Sequence, residues 1–156
     1  MSLKGLTFME ISKEKYNIIY RDRITKRIDQ KNFREFINAH KNIFKWKEET
    51  SMGKDNLDNL DNFPNKESIL RELDEFIAFA YYKKDKGYFG LDVVWIEKWG
   101  IISMNFNNSR VTIEALEILL DMANYCDAML LVNGKKQITK DFIEKEKNEI
   151  EEKKKK

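Results

Sequence analysis

The chain is poor in the residues that form disulfides and metal sites. Its 156 residues contain one cysteine, Cys126, and one histidine, His40. A single thiol excludes an internal disulfide framework, and one thiol with one imidazole cannot supply the usual ligands of a structural zinc site. We therefore expect a cytoplasmic protein that contains neither a metal nor another cofactor.

Long apolar runs and nucleotide-binding motifs are also missing. No segment approaches the length of a membrane-spanning helix, and the first residues lack the apolar core of a signal peptide. Neither a glycine-rich phosphate loop nor a Gly-x-Ser-x-Gly sequence occurs. These absences argue against a membrane protein, a P-loop nucleotide enzyme and an α/β-hydrolase.

Charge is plentiful but nearly balanced. Lysine and arginine number 29 against 27 acids, which leaves a net charge of +2. Nucleic-acid binders concentrate uncompensated cations, whereas acids interrupt nearly every basic stretch here. The exception is Lys153–Lys156, and we predict that residues 151–156 form a disordered basic tail. The charge balance argues against nucleic acid as the partner.

Residues 91–138 read as one continuous folding unit. The segment Leu91–Ile96 carries apolar side chains on both faces, as in a central strand, whereas residues 101–106 alternate and predict a strand nearer an edge. A turn at Lys98-Trp99-Gly100 joins the two strands.

The same unit continues through a helix and a hairpin. Thr112 is placed to cap a helix that reaches Tyr125, residues 128–132 form another strand, and Asn133-Gly134 is typical of a tight hairpin. If the strands before and after this helix share a sheet, the helix is a right-handed crossover and the strands are parallel.

The first half of the chain is predicted to be mainly helical. Residues 12–28 fit a short strand or a helix, and we favour the helix, with Tyr16, Ile19, Tyr20 and Ile24 on one face. Asn32 followed by Glu35 resembles a capping box and predicts a helix to about Trp46. A third helix is expected from Asn65 to about Asp85, with Ile77 and Ala80 on its apolar face, and a charged helix from Thr139.

These elements predict a single α+β domain over residues 1–156. Its sheet would be small, mixed or antiparallel, with helices packed mainly on one face. The composition, 42% hydrophobic and 12% aromatic, suffices for one shared core.

The two rare side chains do not predict a catalytic site. His40 lies on the apolar side of its predicted helix, where a packed histidine is the simpler interpretation. Cys126 ends a helix before Asp127, and a nearby carboxylate would raise the thiol pKa, as in an unreactive structural cysteine. Asp92 interrupts an apolar strand, so it must face water, pair with a cation or change its pKa. No catalytic residue is assigned.

The segment 48–65 is predicted to be a flexible acidic loop. It repeats an Asp-Asn-apolar triplet, and its acids include Asp58 and Asp61. Calcium loops need ligands at alternating positions and a closing glutamate, which this three-residue spacing does not provide. We assign Asp58 and Asp61 to docking of a partner protein.

Trp99 is the other predicted contact. A tryptophan at a turn is costly to expose unless it packs against the protein or binds a partner. With Lys98 and Tyr88 it would form an aromatic and charged patch, although packing under a neighbouring element remains an alternative. Stacking of single-stranded bases is a further alternative that the charge balance weakens.

The sequence therefore predicts a small protein-binding domain without catalytic activity of its own. An inhibitor or immunity-type protein is one form of such a domain. The first alternative is an enzyme in which His40 and carboxylates such as Asp92, Asp121 or Asp127 meet only in the fold. The second is a weak nucleic-acid binder that uses the lysine-rich tail.

Overall fold

The computed structural model describes residues 8–46, 77–80, 91–106 and 112–154. The strands are β1 (Phe8–Ser12), β2 (Phe44–Trp46), β3 (Ile77–Ala80), β4 (Leu91–Ile96), β5 (Ile101–Asn105), β6 (Met129–Val132) and β7 (Lys136–Ile138). The helices are a 3-10 helix (Ile18–Arg23), α1 (Gln30–Ala39), α2 (Ile113–Tyr125) and α3 (Lys140–Lys154).

All seven strands belong to one sheet in the order β2-β3-β4-β5-β1-β6-β7, and every neighbouring pair is antiparallel. Strands β5 and β6 both run antiparallel to β1. They are therefore parallel to each other, as predicted for a crossover through α2, but β1 separates them. The fold is α+β, and its sheet is of the antiparallel kind.

The core lies on one side of this sheet, which we call the inner face. Successive strand residues point to opposite sides, and Met9 and Ile11 of β1 point to the inner face, where both are fully buried. Helices α1 and α2 pack there through Phe33 and Leu116. The Phe33 ring stacks on that of Trp95, with centroids 6.0 Å apart. Helices thus cover mainly one face, as predicted.

Local signals around α2 and the last hairpin are confirmed. The Thr112 hydroxyl accepts a hydrogen bond from the Ala115 amide at 3.0 Å, which caps α2. Asn133 and Gly134 adopt φ angles of 57° and 73°, the positive values that a two-residue hairpin turn requires. The predicted turn at Lys98-Trp99-Gly100 is also present.

The predicted helix over residues 12–28 is wrong. Strand β1 ends at Ser12. Between Ser12 and Ile28 only Ile18–Arg23 is helical, and this segment has a kink at Tyr20. Asn17 caps the segment through its side chain, which accepts from the Ile19 amide at 3.0 Å. Strand β1, an interior strand that pairs with β5 and β6, was not predicted.

Two other helix predictions are wrong within the described residues, and the rest of the helix predicted from Asn65 to about Asp85 lies outside them. Helix α1 is capped by Asp29, which accepts from the Lys31 amide, and it ends at Ala39 instead of Trp46. Residues 44–46 pair with Ile77–Ala80, which was predicted to be helical. In both segments cross-strand pairing overrides the helical spacing of the apolar residues.

Strand β5 is not near an edge, since it lies between β4 and β1. Helix α3 extends to Lys154 and includes most of the segment predicted to be a disordered tail. The predicted acidic loop, residues 48–65, lies outside the described residues. Within the described ranges, no helix is both long and apolar enough to cross a membrane.

Candidate functional site

The outer face of the sheet is covered by an irregular segment instead of a helix layer. We call residues 13–28, which follow β1, the strap. Its Tyr16 amide donates to the Gly134 carbonyl at 2.8 Å, and its Ile28 amide donates to the Gly100 carbonyl at 2.9 Å. According to the strand register, these two turns lie at opposite ends of the sheet. The strap therefore crosses the outer face from end to end.

A charged pair lies beneath the strap. Glu10 of β1 is 1% exposed, and Arg21 of the 3-10 helix reaches it with 3.2 Å between the Arg21 guanidinium nitrogen and Glu10 Oε1. Ser103 and Leu131 flank Glu10 on the neighbouring strands. Because a buried carboxylate requires a cationic partner, the Glu10–Arg21 pair attaches the strap to the interior strand β1.

Tyr16 completes this buried cluster. Its hydroxyl and Arg21 Nε are buried and have no hydrogen-bond partner among the described residues. Burial, together with the adjacent Glu10 carboxylate, raises the pKa of Tyr16, so the phenol stays protonated. Because the strap closes over Glu10, this carboxylate is inaccessible to a substrate, and we interpret the cluster as a support for the strap.

The strap and the β4–β5 turn together form a surface around Trp99. The indole nitrogen of Trp99 donates to Asp22 Oδ1 at 2.8 Å. The Arg21 guanidinium carbon lies 5.2 Å from the Trp99 ring centroid, and Lys98 Nζ lies 5.4 Å from it. Trp99 is therefore half-buried and held in place, with the strap packed against it.

Asp22 is the acidic side chain of this surface, and it contacts both Trp99 and Lys98. The hydrogen bond from Trp99 and the positive charge of Lys98, whose Nζ is 3.6 Å from Asp22 Oδ1, lower the pKa of the Asp22 carboxyl. Asp22 is consequently ionised at neutral pH and fixes the orientation of Trp99.

The 3-10 helix that contacts Trp99 through Arg21 and Asp22 also exposes an aliphatic and an aromatic side chain. Ile19 is 81% exposed and Tyr20 is 47% exposed. The guanidinium carbon of Arg23 lies 4.2 Å from the Tyr20 ring centroid. We call this surface the Trp99 patch, and it consists of Ile19, Tyr20, Asp22, Arg23, Lys98 and Trp99. Tryptophan, tyrosine and arginine are the residues enriched at the energetic centres of protein interfaces.

The structure brings together two of the predicted contact residues, Trp99 and Lys98. Tyr88, Asp58 and Asp61 lie outside the described residues. The sequence reasoning missed Ile19, Tyr20 and Arg23, since a regular helix would have placed Ile19 and Tyr20 on one buried face with Tyr16. It also missed the Glu10–Arg21 pair, although the alternation of Met9 and Ile11 with Glu10 and Ser12 is a strand signal.

His40 and the acids proposed for the alternative enzyme do not line a common cleft among the described residues. His40 Nδ1 lies 2.7 Å from the Phe36 carbonyl oxygen, and its ring stacks on that of Phe36. One open cleft is lined by Asp127 and another by Asp121, and His40 lines neither. Asp92 lies on β4, opposite Asn105. The imidazole thus packs against Phe36.

Cys126 is fully buried at the C-terminal end of α2. Burial raises the pKa of its thiol to about 11. The sequence predicted this direction from Asp127, but the cause is removal from water, to which the Asp29 carboxylate adds and which Lys13 opposes. The thiol is therefore protonated and unreactive at neutral pH.

This raised pKa predicts a loss of stability in alkali. Between about pH 9 and pH 11 the unfolded thiol ionises while the folded thiol keeps its proton, so rising pH favours the unfolded state by at most about 3 kcal/mol. Urea unfolding of wild type and Cys126→Ala at about pH 8 and about pH 11 measures this term. We expect a smaller loss in the variant, and equal losses would contradict the prediction.

No group of three or more histidine, cysteine, aspartate or glutamate side chains that could hold a metal ion occurs in the described part of the chain. No protein-family model, curated protein or solved structure matches the sequence or the fold. The Trp99 patch is thus interpreted from its own geometry.

Proposed function

We propose that this protein acts by binding another protein through the Trp99 patch, as an inhibitor or immunity-type protein of the cytoplasm. The observation that supports the proposal is the exposure of Ile19 and Tyr20 on a segment that is fixed beneath them. An apolar side chain that is 81% exposed gains free energy when a partner covers it.

Preorganisation supports the same proposal. Hydrogen bonds at both ends of the strap, the Glu10–Arg21 pair and the Trp99–Asp22 hydrogen bond all restrict the 3-10 helix before any partner binds. A surface that is already ordered loses less conformational entropy on association than a mobile loop does. The buried, protonated Cys126 is compatible with a reducing cytoplasm.

Site-specific crosslinking tests the proposal. A photoreactive benzoylphenylalanine at position 19 should crosslink one protein in an extract of the native cell, whereas the same group at position 145, an exposed site on α3, should not. Excess unlabelled wild type should suppress the crosslink, because it competes for the same partner.

Unlabelled variants then identify the contacts. Excess Tyr20→Ala and Trp99→Ala should compete at least about tenfold less well than wild type, the loss of about 1.4 kcal/mol expected for an interface anchor. Circular dichroism confirms that each variant is folded. Equal crosslinking from positions 19 and 145 would contradict the proposal that the Trp99 patch binds a partner. Full competition by both variants would contradict it as well.

A further inference from the structure

We infer that the partner surface contacting the Trp99 patch is an acidic protein surface, with carboxylates around an apolar depression that receives Ile19. This inference rests on the proposed function and specifies the chemistry of the partner. It follows from the pairing of the acids and cations of the strap and of the adjacent turn.

The acids of this region already have partners. Asp22 binds Trp99 and Lys98, and Glu10 binds Arg21. The carboxylate of Glu14 accepts the Thr25 amide at 2.8 Å. The carboxylate of Glu97 accepts the indole nitrogen of Trp95 at 2.6 Å and lies 3.4 Å from Arg27. Glu14 meets only uncharged donors, so these four carboxylates offset four of the seven cations that the strap and Lys98 supply, and the region stays positive.

Three cations of the strap keep donors for a partner. Lys15 and Lys26 are exposed and make no ion pair with a described residue. The Arg23 guanidinium lies over the Tyr20 ring, a contact that covers one face of the group and leaves the N–H donors in its plane available. The strap thus carries exposed cations on both sides of Ile19 along the chain, and a negative partner surface complements them.

A protein fits this surface better than a nucleic acid does. Binding of single strands depends on aromatic faces on which bases stack, but cations already lie over the rings of Trp99 and Tyr20. Ile19 offers no aromatic plane.

Titration of isotope-labelled protein with three defined probes tests this inference by NMR. The probes are a short peptide of alternating leucine and glutamate, the same peptide with serine in place of glutamate, and oligothymidylate. The acidic peptide should shift the amide signals of residues 17–25 most, and its affinity should fall several-fold between about 50 mM and about 300 mM salt.

Charge-reversal variants provide the matched comparison. Lys15→Glu and Lys26→Glu should each weaken binding of the acidic peptide about two- to fivefold, the effect of one exposed charge contact. Lys145→Glu on α3 should leave the affinity unchanged.

The inference is overturned if the serine peptide binds equally well, if oligothymidylate produces the larger shifts, or if no probe shifts these amides. Crosslinking from position 19 separates this failure from that of the proposed function. A patch-dependent crosslink without a response to the acidic peptide contradicts only the inference that the partner surface is acidic. The absence of a patch-dependent crosslink contradicts the proposed binding function itself.

Discussion

Replacing Arg21 with methionine should lower the free energy of unfolding by about 3 kcal/mol at neutral pH, measured by urea denaturation. The variant leaves the Glu10 carboxylate, 1% exposed, without its cation. Breaking a buried ion pair in this way typically costs about 3–5 kcal/mol. We expect the lower end of that range because Arg21 is 22% exposed, so water can reach the position of the lost guanidinium.

Two further variants separate the buried charge from other effects of the substitution. Arg23→Met removes an exposed arginine of the same 3-10 helix and should cost less than about 1 kcal/mol, the size of an exposed cation–π contact. Adding Glu10→Leu to Arg21→Met removes both charges and should restore most of the lost stability. Equal losses for Arg21→Met and Arg23→Met would show that the Glu10–Arg21 pair is not important to stability.

The fold was predictable where a short signal determines the structure. Thr112 and Asn133-Gly134 specify a cap and a turn through their own side chains or backbone preferences, and both were assigned correctly. The apolar run Leu91–Ile96 predicted a central strand, and β4 does lie between β3 and β5, although only its inner face is fully buried.

Predictions failed where distant pairing determines the structure. Phe44, Trp46 and Ile77 have helical spacing to their neighbours, yet their segments pair with each other as β2 and β3. The polar alternation of β5 suggested solvent near an edge. Instead, the polar Ser103 lies next to Glu10 on the outer face, in a region that the strap covers.

The candidate site was predictable only in part for the same reason. Trp99 and Lys98 could be identified because an aromatic side chain at a turn is conspicuous in the sequence. The contribution of Ile19 and Tyr20 depends on the kink at Tyr20 and on the attachment of the strap to Gly134 and Gly100, which arise from contacts across the fold.

The attachment at Gly134 leads to the second large expected effect. Gly134→Ala should lower the free energy of unfolding by about 3 kcal/mol. A Cβ at this position would lie 2.5 Å from the Tyr16 carbonyl oxygen, and the φ of +73° is unfavourable for any side chain. The backbone conformation contributes about 1–2 kcal/mol, and loss of the Tyr16–Gly134 hydrogen bond contributes about 0.5–1.5 kcal/mol.

Asn133→Ala is the matched control, because Asn133 has a similar φ of 57° in the same turn but an exposed side chain. It should cost about 1 kcal/mol, the backbone term alone. The two variants should also differ in the strap: Gly134→Ala displaces Tyr16 and should shift the amide signals of residues 18–23, whereas Asn133→Ala should leave them in place. If Gly134→Ala destabilised the protein without shifting these signals, the strap would be held independently of Gly134, and the preorganisation of the Trp99 patch would depend on Glu10 and Arg21 instead.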